Sequence, residues 1–314
     1  MRILFWGTSA FATPSLRALV GEGFDVVGVI TQPDRAVGRS RSQLVPSPVK
    51  EAALEAGLPV LQPDRPRGAE FLEQMRALEP TLSVVASYGH LLMQEVIDLP
   101  ARGTLNVHAS LLPKFRGAAP IQAAVREGLR ETGVTIMRMV LALDAGPIVL
   151  QARTPIASDE TAGELELRLS ELGAMAIVEA ITLIQLGQES ERPQDGAAAT
   201  YAPKIDREMA RVNWQEGCSV IARTIRAYDP RPSAFTTHRG VDLKLFGAAE
   251  TEEAGDEGPT SFGTVLAIDE RGMLIACGDG AVRVSQVTPA GKKRLSAAEW
   301  LRGRGVAIGD RLGG

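Results

Sequence analysis

The segment Asn106-Val107-His108 places an amide and an imidazole two positions apart at the end of an apolar run. Side chains alternate along a strand, so Asn106 and His108 are expected on the same side of it. The carboxyl ends of strands in an open α/β sheet are where ligands bind. An amide beside an imidazole can polarise a carbonyl group and stabilise the oxyanion that forms when an amine attacks it. The alternative interpretation is that both side chains satisfy local backbone groups.

A carboxylate follows further along the chain, at Asp144, in a polar loop that comes directly after an apolar run. A carboxylate near an imidazole orients the ring, and it can also accept a proton from an attacking ammonium group. The alternative is that Asp144 only shapes a turn before Gly146, which is a common use of aspartate.

A basic stretch lies in residues 32–46, where Arg35, Arg39 and Arg41 stand within seven positions. Arginine binds phosphates and also stacks on nucleic-acid bases, so this loop is a candidate nucleic-acid contact. The alternative is a solvated basic loop without a partner.

Short apolar runs and amphipathic stretches alternate through the first 187 residues, which predicts repeated strand–helix–strand units with parallel pairing. The fold class is therefore α/β, with an open, mostly parallel, Rossmann-like sheet. The stretch 161–186 has helical spacing, with an expected break near Gly173. Gly7 follows the first strand, but the full glycine fingerprint of dinucleotide-binding proteins is missing.

The pattern changes after residue 187. Residues 188–207 are polar and rich in proline, glycine and alanine, and we interpret them as a linker between domains 1–187 and 208–314. The second domain contains one predicted helix, 218–227, and short strand patterns near Phe235, Leu243, Val265, Leu274 and Val282. This spacing favours a small OB-like β-barrel.

The composition limits the classes of function. With 314 residues and 45% hydrophobic residues, the chain can form two cored domains. Its net charge of −4 argues against a generally basic nucleic-acid binder, although residues 209–314 carry 14 basic and 13 acidic side chains. No apolar stretch approaches the ~20 residues of a membrane span, and no leader is evident, so we expect a cytosolic protein. Cys218 and Cys277 lack metal-ligand spacing, and no metal is expected.

Taken together, Asn106, His108 and Asp144, with the run Ser110-Leu111-Leu112-Pro113, resemble the folate-dependent formyltransferases. Within that superfamily, further segments resemble the methionyl-tRNA formyltransferase family over nearly the whole chain; they are residues 28–35, 45–50, 131–137, 201–205 and 289–293.

The resemblance implies a reaction. The formyl group of 10-formyltetrahydrofolate passes to the α-amino group of methionine on initiator Met-tRNA, by direct amine attack through a tetrahedral intermediate. Asn106 and His108 would stabilise the oxyanion, and Asp144 would hold His108 and assist proton removal. No metal is needed.

The resemblance also implies binding residues. The folate donor would lie beside Tyr88, Gly89, Ser110, Leu111, Leu112 and Pro113. The tRNA would contact Arg35, Arg39, Arg41, Lys204, Arg223, Lys292, Lys293 and Arg294. We expect a monomer that does not bind membranes.

Three other functions are alternatives to this interpretation. A sugar-nucleotide N-formyltransferase would use the same triad and folate site, but the basic loop and the Lys292-Lys293-Arg294 cluster argue against it. A glycinamide ribonucleotide formyltransferase would not need the C-terminal third of the chain. A non-catalytic RNA-binding protein would not need Asp144 near His108.

Overall fold

A computed structural model of the chain describes residues 1–37, 43–251 and 261–313. The chain divides into two compact units, each built from more than one stretch of sequence. The first unit comprises Met1–Pro120, Glu131–Pro155 and Glu166–Ala202. The second comprises Ile121–Arg130, Ile156–Leu165 and Pro203–Gly314. The boundaries that we drew from the sequence, at 187 and 207, stay a prediction.

The strands of the first unit are β1 (Arg2–Gly7), β2 (Asp25–Ile30), β3 (Arg35–Val37), β4 (Gln43–Val45), β5 (Val60–Leu61), β6 (Leu82–Ala86), β7 (Thr104–His108), β8 (Arg116–Gly117), β9 (Glu131–Arg138), β10 (Ile148–Pro155) and β11 (Tyr201–Ala202). Its helices are α1 (Thr13–Gly21), α2 (Pro48–Glu55), α3 (Ala69–Ala77) and α4 (Gln94–Ile97). Helices α5 (Pro120–Arg126) and α6 (Ala162–Leu186) contribute residues to both units.

The main sheet of the first unit has seven strands in the order β10-β9-β7-β6-β1-β2-β5. Strands β7, β6, β1, β2 and β5 pair in parallel, whereas β9 and β10 are antiparallel to their neighbours. Four consecutive residues of β1, from Ile3 to Trp6, are fully buried, as expected for a central strand covered on both faces. The predicted mostly parallel Rossmann-like sheet is therefore confirmed.

Helix α2 illustrates how local sequence fixes these elements. Ser47 caps the helix by accepting a hydrogen bond from the Lys50 backbone N–H at 3.0 Å, and Pro48 occupies the first turn. Both choices suit a helix start, because the cap satisfies a free N–H and proline has none to satisfy. Val49, Ala52 and Ala53 form its buried face.

Helix α6 runs without a break, so the interruption expected near Gly173 is wrong. The glycine serves packing instead. A Cβ atom at this position would lie 2.9 Å from Cγ1 of Val107 in the neighbouring strand β7. The missing side chain therefore lets the helix approach the strand that carries Asn106 and His108.

The same helix is long and apolar enough, by length and composition, to cross a membrane. Half of its most apolar 18-residue window is buried inside the protein. Core helices of soluble proteins meet the same criterion, so the feature is weak evidence for a span.

The second unit contains α7 (Cys218–Ala227), β12 (Phe235–His238), β13 (Val241–Thr251), β14 (Val265–Asp269), β15 (Gly272–Cys277), β16 (Gly280–Pro289), β17 (Leu295–Ser296) and α8 (Ala297–Arg302). Its strands form an antiparallel sheet in the order β12-β13-β16-β15-β14, with β17 paired to β16. The core under this sheet includes Trp214, Ile221, Leu245, Ile275 and Trp300.

The five strands expected in the C-terminal region are all present, and they form a separate antiparallel β domain. The strand ladder, however, is open rather than a closed barrel. Its two edges are connected by isolated bridges of the chain end, where Leu312 pairs with His238 and Arg311 pairs with Thr264. These bridges are single residue pairs rather than strands, so they do not close the sheet into a barrel.

Candidate active site

Strand β7 positions the first two candidate residues. It lies between β6 and β9, and its register places Asn106 opposite Met137 and His108 opposite Thr135. His108 is only 6% exposed, whereas Asn106 is half-buried. Among the described residues, the Asn106 carboxamide has no hydrogen-bond partner, so its N–H groups are free to bind a ligand.

The His108 ring is fixed by a main-chain carbonyl. Its Nε2 lies 2.9 Å from the carbonyl oxygen of Phe115. A carbonyl only accepts hydrogen bonds, so Nε2 carries the hydrogen. The other nitrogen, Nδ1, faces Oδ2 of Asp144 at 3.8 Å, which is too long for a hydrogen bond. The sequence predicts Asp144 near His108, and the structure places it there. The sequence does not predict the contact of His108 with Phe115.

Asp144 is held in an unusual backbone conformation, with a φ of +47°. Its Oδ2 accepts a hydrogen bond from the Gly117 N–H at 2.7 Å. The Gln194 side-chain amide donates to the carbonyl oxygens of Asp144 and Gly146, both at 2.8 Å. Gln194 was missed in the sequence, because it lies within the stretch interpreted as a linker.

The run from Ser110 to Pro113 uses its polar groups for its own shape. The Ser110 hydroxyl donates to the Lys114 carbonyl at 2.6 Å. The Thr135 hydroxyl donates to the Ser110 carbonyl at 2.6 Å and accepts from the Leu112 N–H at 3.1 Å. Leu112 is buried against Met137 and Ile148, and Leu111 reaches Gly133. Contact of these residues with folate stays a prediction.

Tyr88 and Gly89 form the turn after strand β6. Tyr88 is 2% exposed, with its ring edge-on to Trp6 at 5.3 Å between centroids. Burial raises the pKa of Tyr88 to about 12, and its hydroxyl has no partner among the described residues. Gly89 has a φ of +88°, and a Cβ there would lie 2.6 Å from Nε2 of Gln32. Only glycine therefore fits the turn.

Gln32 connects this turn to the basic segment. Its Nε2 donates to the Tyr88 carbonyl at 2.8 Å, and its Oε1 accepts from Nη2 of Arg35 at 2.6 Å. Residues 32–46, expected as a loop, contain the hairpin β3–β4. Arg35 begins this hairpin, whereas Arg39 and Arg41 lie outside the described residues.

The candidate cations of the second unit differ in their surroundings. Lys204, Lys292 and Lys293 are exposed. Arg294 is engaged instead: its guanidinium donates to both carboxylate oxygens of Asp229, at 3.1 and 3.2 Å, and stacks on Phe246.

Arg223 is half-buried and packs on Gly128, where a Cβ would lie 2.8 Å from its Cδ. Its Nε is buried and has no partner within the described part of the chain. A role of any of these cations in binding tRNA stays a prediction.

The two cysteines lie closer together than their sequence spacing suggested. The thiol sulfurs of Cys218 and Cys277 and a carboxylate oxygen of Asp279 lie within 4.8 Å of one another. Asp279 also caps helix α7, because its Oδ1 accepts from the Cys218 backbone N–H at 2.7 Å. This hydrogen bond gives the carboxylate a structural role.

Comparison with known proteins agrees with this architecture. Residues 1–181 match the family described as formyl transferase, and residues 204–305 match the formyl transferase C-terminal domain. These two matches cover most of the chain, so the chain belongs to the formyl transferase family.

Relatives that align with the full chain identify the particular family of formyl transferases. Over the full chain it is 45% identical to a methionyl-tRNA formyltransferase from Moorella thermoacetica, covering 100% of this chain and 99% of the relative. It is also 45% identical to the methionyl-tRNA formyltransferase of Chromobacterium violaceum, with 100% of both chains covered. The chain is therefore a member of the methionyl-tRNA formyltransferases, a family of formyl-transferring enzymes.

Solved structures share the fold at lower identity. HypX from Aquifex aeolicus, in complex with tetrahydrofolic acid, matches 98% of this chain and 48% of its own length, with 21% identity and a TM-score of 0.64. WlaRD, a sugar 3N-formyl transferase, matches 93% of this chain and 99% of its own length, with 18% identity and a TM-score of 0.68.

Proposed function

We propose that this protein transfers the formyl group of 10-formyltetrahydrofolate to the α-amino group of methionine on initiator Met-tRNA. We further propose that it acts in the cytoplasm as a monomer, without a metal and without binding a membrane. The observation that carries the proposal is the 45% sequence identity, over the full length of the chain, to methionyl-tRNA formyltransferases. The proximity of Asn106, His108 and Asp144 supports it further.

The exposed surface after strand β6 fits a folate donor. Leu91 and Met93 are 81% and 49% exposed, and they follow directly on the Tyr88–Gly89 turn. Exposed apolar side chains beside an open glycine backbone suit the flat, partly apolar rings of a folate. HypX, a protein of the same fold, forms a complex with tetrahydrofolic acid, which supports the same donor class here.

Asn106 and His108 would stabilise the charge that develops on the formyl oxygen. The amine nitrogen forms a bond to the formyl carbon, and the electron pair of the C=O bond moves to the oxygen. Asn106 has free N–H groups to donate to that oxygen. Because Nε2 of His108 already donates to Phe115, a second donation from Nδ1 requires the imidazolium form of the ring.

Asp144 would remove the proton. The attacking nitrogen carries an extra hydrogen after bond formation, and the Asp144 carboxylate is the proton acceptor on the Nδ1 side of His108. The bond between the formyl carbon and the folate nitrogen then breaks. That nitrogen takes up the proton, so the products are formyl-methionyl-tRNA and tetrahydrofolate, and the enzyme returns to its starting state.

Arg35 and the exposed Lys204, Lys292 and Lys293 would bind the tRNA backbone, with Arg39 and Arg41 as further candidates. A nucleic-acid backbone is bound through phosphate contacts, which makes binding sensitive to salt. We expect the affinity for tRNA to fall as the salt concentration rises, and a sugar-nucleotide substrate, with only two phosphates, to show a weaker dependence.

The test is formyl transfer from 10-formyltetrahydrofolate to charged initiator tRNA, charged elongator tRNA and a sugar-nucleotide amine. Rapid formylation of the initiator tRNA alone is expected. Transfer to the sugar amine without transfer to tRNA would overturn the assigned acceptor and leave the triad in place.

The triad is tested with His108→Ala, Asn106→Ala and Asp144→Asn, each expected to lower kcat by at least about 100-fold. Asp64→Asn is the matched control, since Asp64 is exposed and has no hydrogen-bond partner among the described residues. Near-normal kcat in Asp144→Asn, with tRNA binding unchanged, would exclude Asp144 as the proton acceptor.

A further inference from the structure

The Gln194 side chain accepts two hydrogen bonds and donates three, of which the longest runs from its Nε2 to Sδ of Met137 at 3.9 Å. Its Oε1 accepts from Nε and Nη2 of Arg116, at 3.1 and 2.7 Å. Its Nε2 donates to the carbonyl oxygens of Asp144 and Gly146, both at 2.8 Å. A guanidinium only donates and a carbonyl only accepts, so this arrangement admits one orientation of the amide. A glutamine suits these partners, because glutamate lacks the donor and a lysine lacks the acceptor.

The Arg116 guanidinium donates its side-chain hydrogen bonds to the Gln194 amide. Its side chain is 7% exposed, and no carboxylate lies within 4 Å of it in the described part of the chain. Gln194 Oε1 is therefore the side-chain acceptor for a buried cation. Burying a cation without a hydrogen-bond partner is costly, so the Arg116–Gln194 contact is expected to be well ordered.

The residues on either side of Arg116 contact the other two parts of the site. The Phe115 carbonyl accepts from His108, and the Gly117 N–H donates to the Asp144 carboxylate. Three consecutive residues therefore bind His108, Gln194 and Asp144 in turn. A shift of Arg116 would move both neighbours, and with them the relative positions of His108 and Asp144.

The backbone of Asp144 needs such support. Its φ of +47° lies in the left-handed region, which a residue with a side chain rarely adopts unless its surroundings enforce it. The Gln194 amide holds the carbonyl of Asp144 itself and that of Gly146, two residues on. Gly146 is confined as well, because a Cβ there would lie 1.8 Å from the Arg138 carbonyl oxygen.

We propose that Gln194 is a positioning residue, which fixes the Asp144 carboxylate relative to His108 through the Asp144 and Gly146 carbonyls and through Arg116. The proposal rests on the proposed function, since it assumes that Asp144 accepts the proton. It assigns part of the active site to residues 188–207, the segment that the sequence suggested was only a linker.

Two substitutions separate positioning from general stability. Gln194→Met keeps the length of the side chain and removes all of the amide's hydrogen bonds. Gln194→Glu keeps an acceptor for Arg116 and removes the donor to the Asp144 and Gly146 carbonyls. Gln188→Met is the matched control, because Gln188 is an exposed glutamine of the same segment.

The experiment measures kcat, both KM values and the thermal midpoint of each variant in the full-length enzyme. We expect kcat to fall on the order of 10- to 100-fold in Gln194→Met and in Gln194→Glu, because small displacements of a catalytic group have effects of this size. Both KM values should stay within about 2-fold of wild type, and Gln188→Met should be unchanged.

The comparison of kcat with the thermal midpoint separates the two roles. A purely structural role would lower the thermal midpoint of Gln194→Met without lowering the kcat of the folded enzyme.

The outcomes distinguish the positioning role of Gln194 from the proposed function. Full kcat in Gln194→Glu, with Asp144→Asn inactive, would overturn the positioning role and leave the proposed function intact. If wild-type enzyme does not formylate Met-tRNA, or if Asp144→Asn is fully active, the proposed function itself is wrong.

Discussion

Nε2 of His108 lies 2.9 Å from the carbonyl oxygen of Phe115, and this contact, rather than Asp144, holds the imidazole ring. Phe115 itself has a φ of +58°, and its N–H donates to the Thr200 hydroxyl at 2.9 Å. The ring orientation of a candidate catalytic residue therefore depends on a loop that is bonded to residue 200. Nδ1 is left facing Asp144.

Substitution of His108 by its two amide analogues should separate ring position from chemistry. Glutamine can place an N–H near the position of Nε2, whereas asparagine reaches only the position of Nδ1. We expect His108→Gln to retain the bond to Phe115 and to be more stable than His108→Asn by about 1 kcal/mol. Both should lose activity. Urea unfolding checks the stabilities, and equal values would argue against the Phe115 contact.

Tyr88→Phe should stabilise the protein or leave it unchanged. The Tyr88 hydroxyl is buried and has no partner among the described residues, and a buried unpaired hydroxyl costs about 1–3 kcal/mol. Removing it removes this cost and keeps the ring packed against Trp6. The measurement is thermal unfolding, together with KM for the folate donor. A loss of stability above about 1 kcal/mol would show that the hydroxyl has a partner, such as a water molecule.

The three adjacent cations Lys292, Lys293 and Arg294 should respond differently to substitution. The double variant Lys292→Ala, Lys293→Ala removes exposed charges, so we expect weaker tRNA binding, a shallower salt dependence and unchanged stability. Arg294→Ala removes the partner of Asp229, which is buried, so we expect reduced stability. Filter binding at several salt concentrations and thermal unfolding distinguish the two. Identical behaviour of all three positions would contradict the structural role of Arg294.

Gln32→Met should weaken the link between the Tyr88–Gly89 turn and the β3–β4 hairpin. The Gln32 amide bonds the Tyr88 carbonyl on one side and Arg35 on the other. We expect a higher KM for tRNA, because Arg35 loses the acceptor that orients it, and a smaller change in kcat. Steady-state kinetics with tRNA varied at saturating folate donor test this. Gln62→Met is a comparison, since Gln62 bonds Asp34 and the Gln32 backbone but not Arg35.

The contribution of Asp310 to the stability of the second unit should be lost in acid. Burial opposes ionisation of Asp310, but hydrogen bonds from the Ala307 N–H and from His238, with the charge of Arg239, outweigh it and lower the pKa of Asp310 from its ordinary value. A carboxyl with a lowered folded-state pKa contributes stability above its unfolded pKa, and this contribution is lost as the pH falls through the folded value. The stability difference between wild type and Asp310→Asn should therefore be constant near neutral pH and shrink below about pH 4. Thermal unfolding between pH 3 and 7 measures it, and a difference that does not depend on pH would exclude this origin.

The sequence by itself determined the α/β order, the succession of short strands in the C-terminal region and the family. Each of these follows from local pattern: apolar runs with period two or buried on both faces, helical spacing between them, and short motifs such as Asn106-Val107-His108. Strand alternation alone places Asn106 and His108 on one side of β7, so the sequence was sufficient to predict that both face the same way.

The tertiary structure decided how these residues are held. Phe115 acts through its carbonyl, which every residue possesses, so its sequence position carries no signal of the contact with His108. Gln194 meets Asp144 across 50 residues of chain, and its polar neighbourhood is typical of a linker. The packing role of Gly173 in α6 depends on Val107, which lies in another element. Contacts between residues distant in the chain form only when the fold brings them together, and therefore the local pattern cannot specify them.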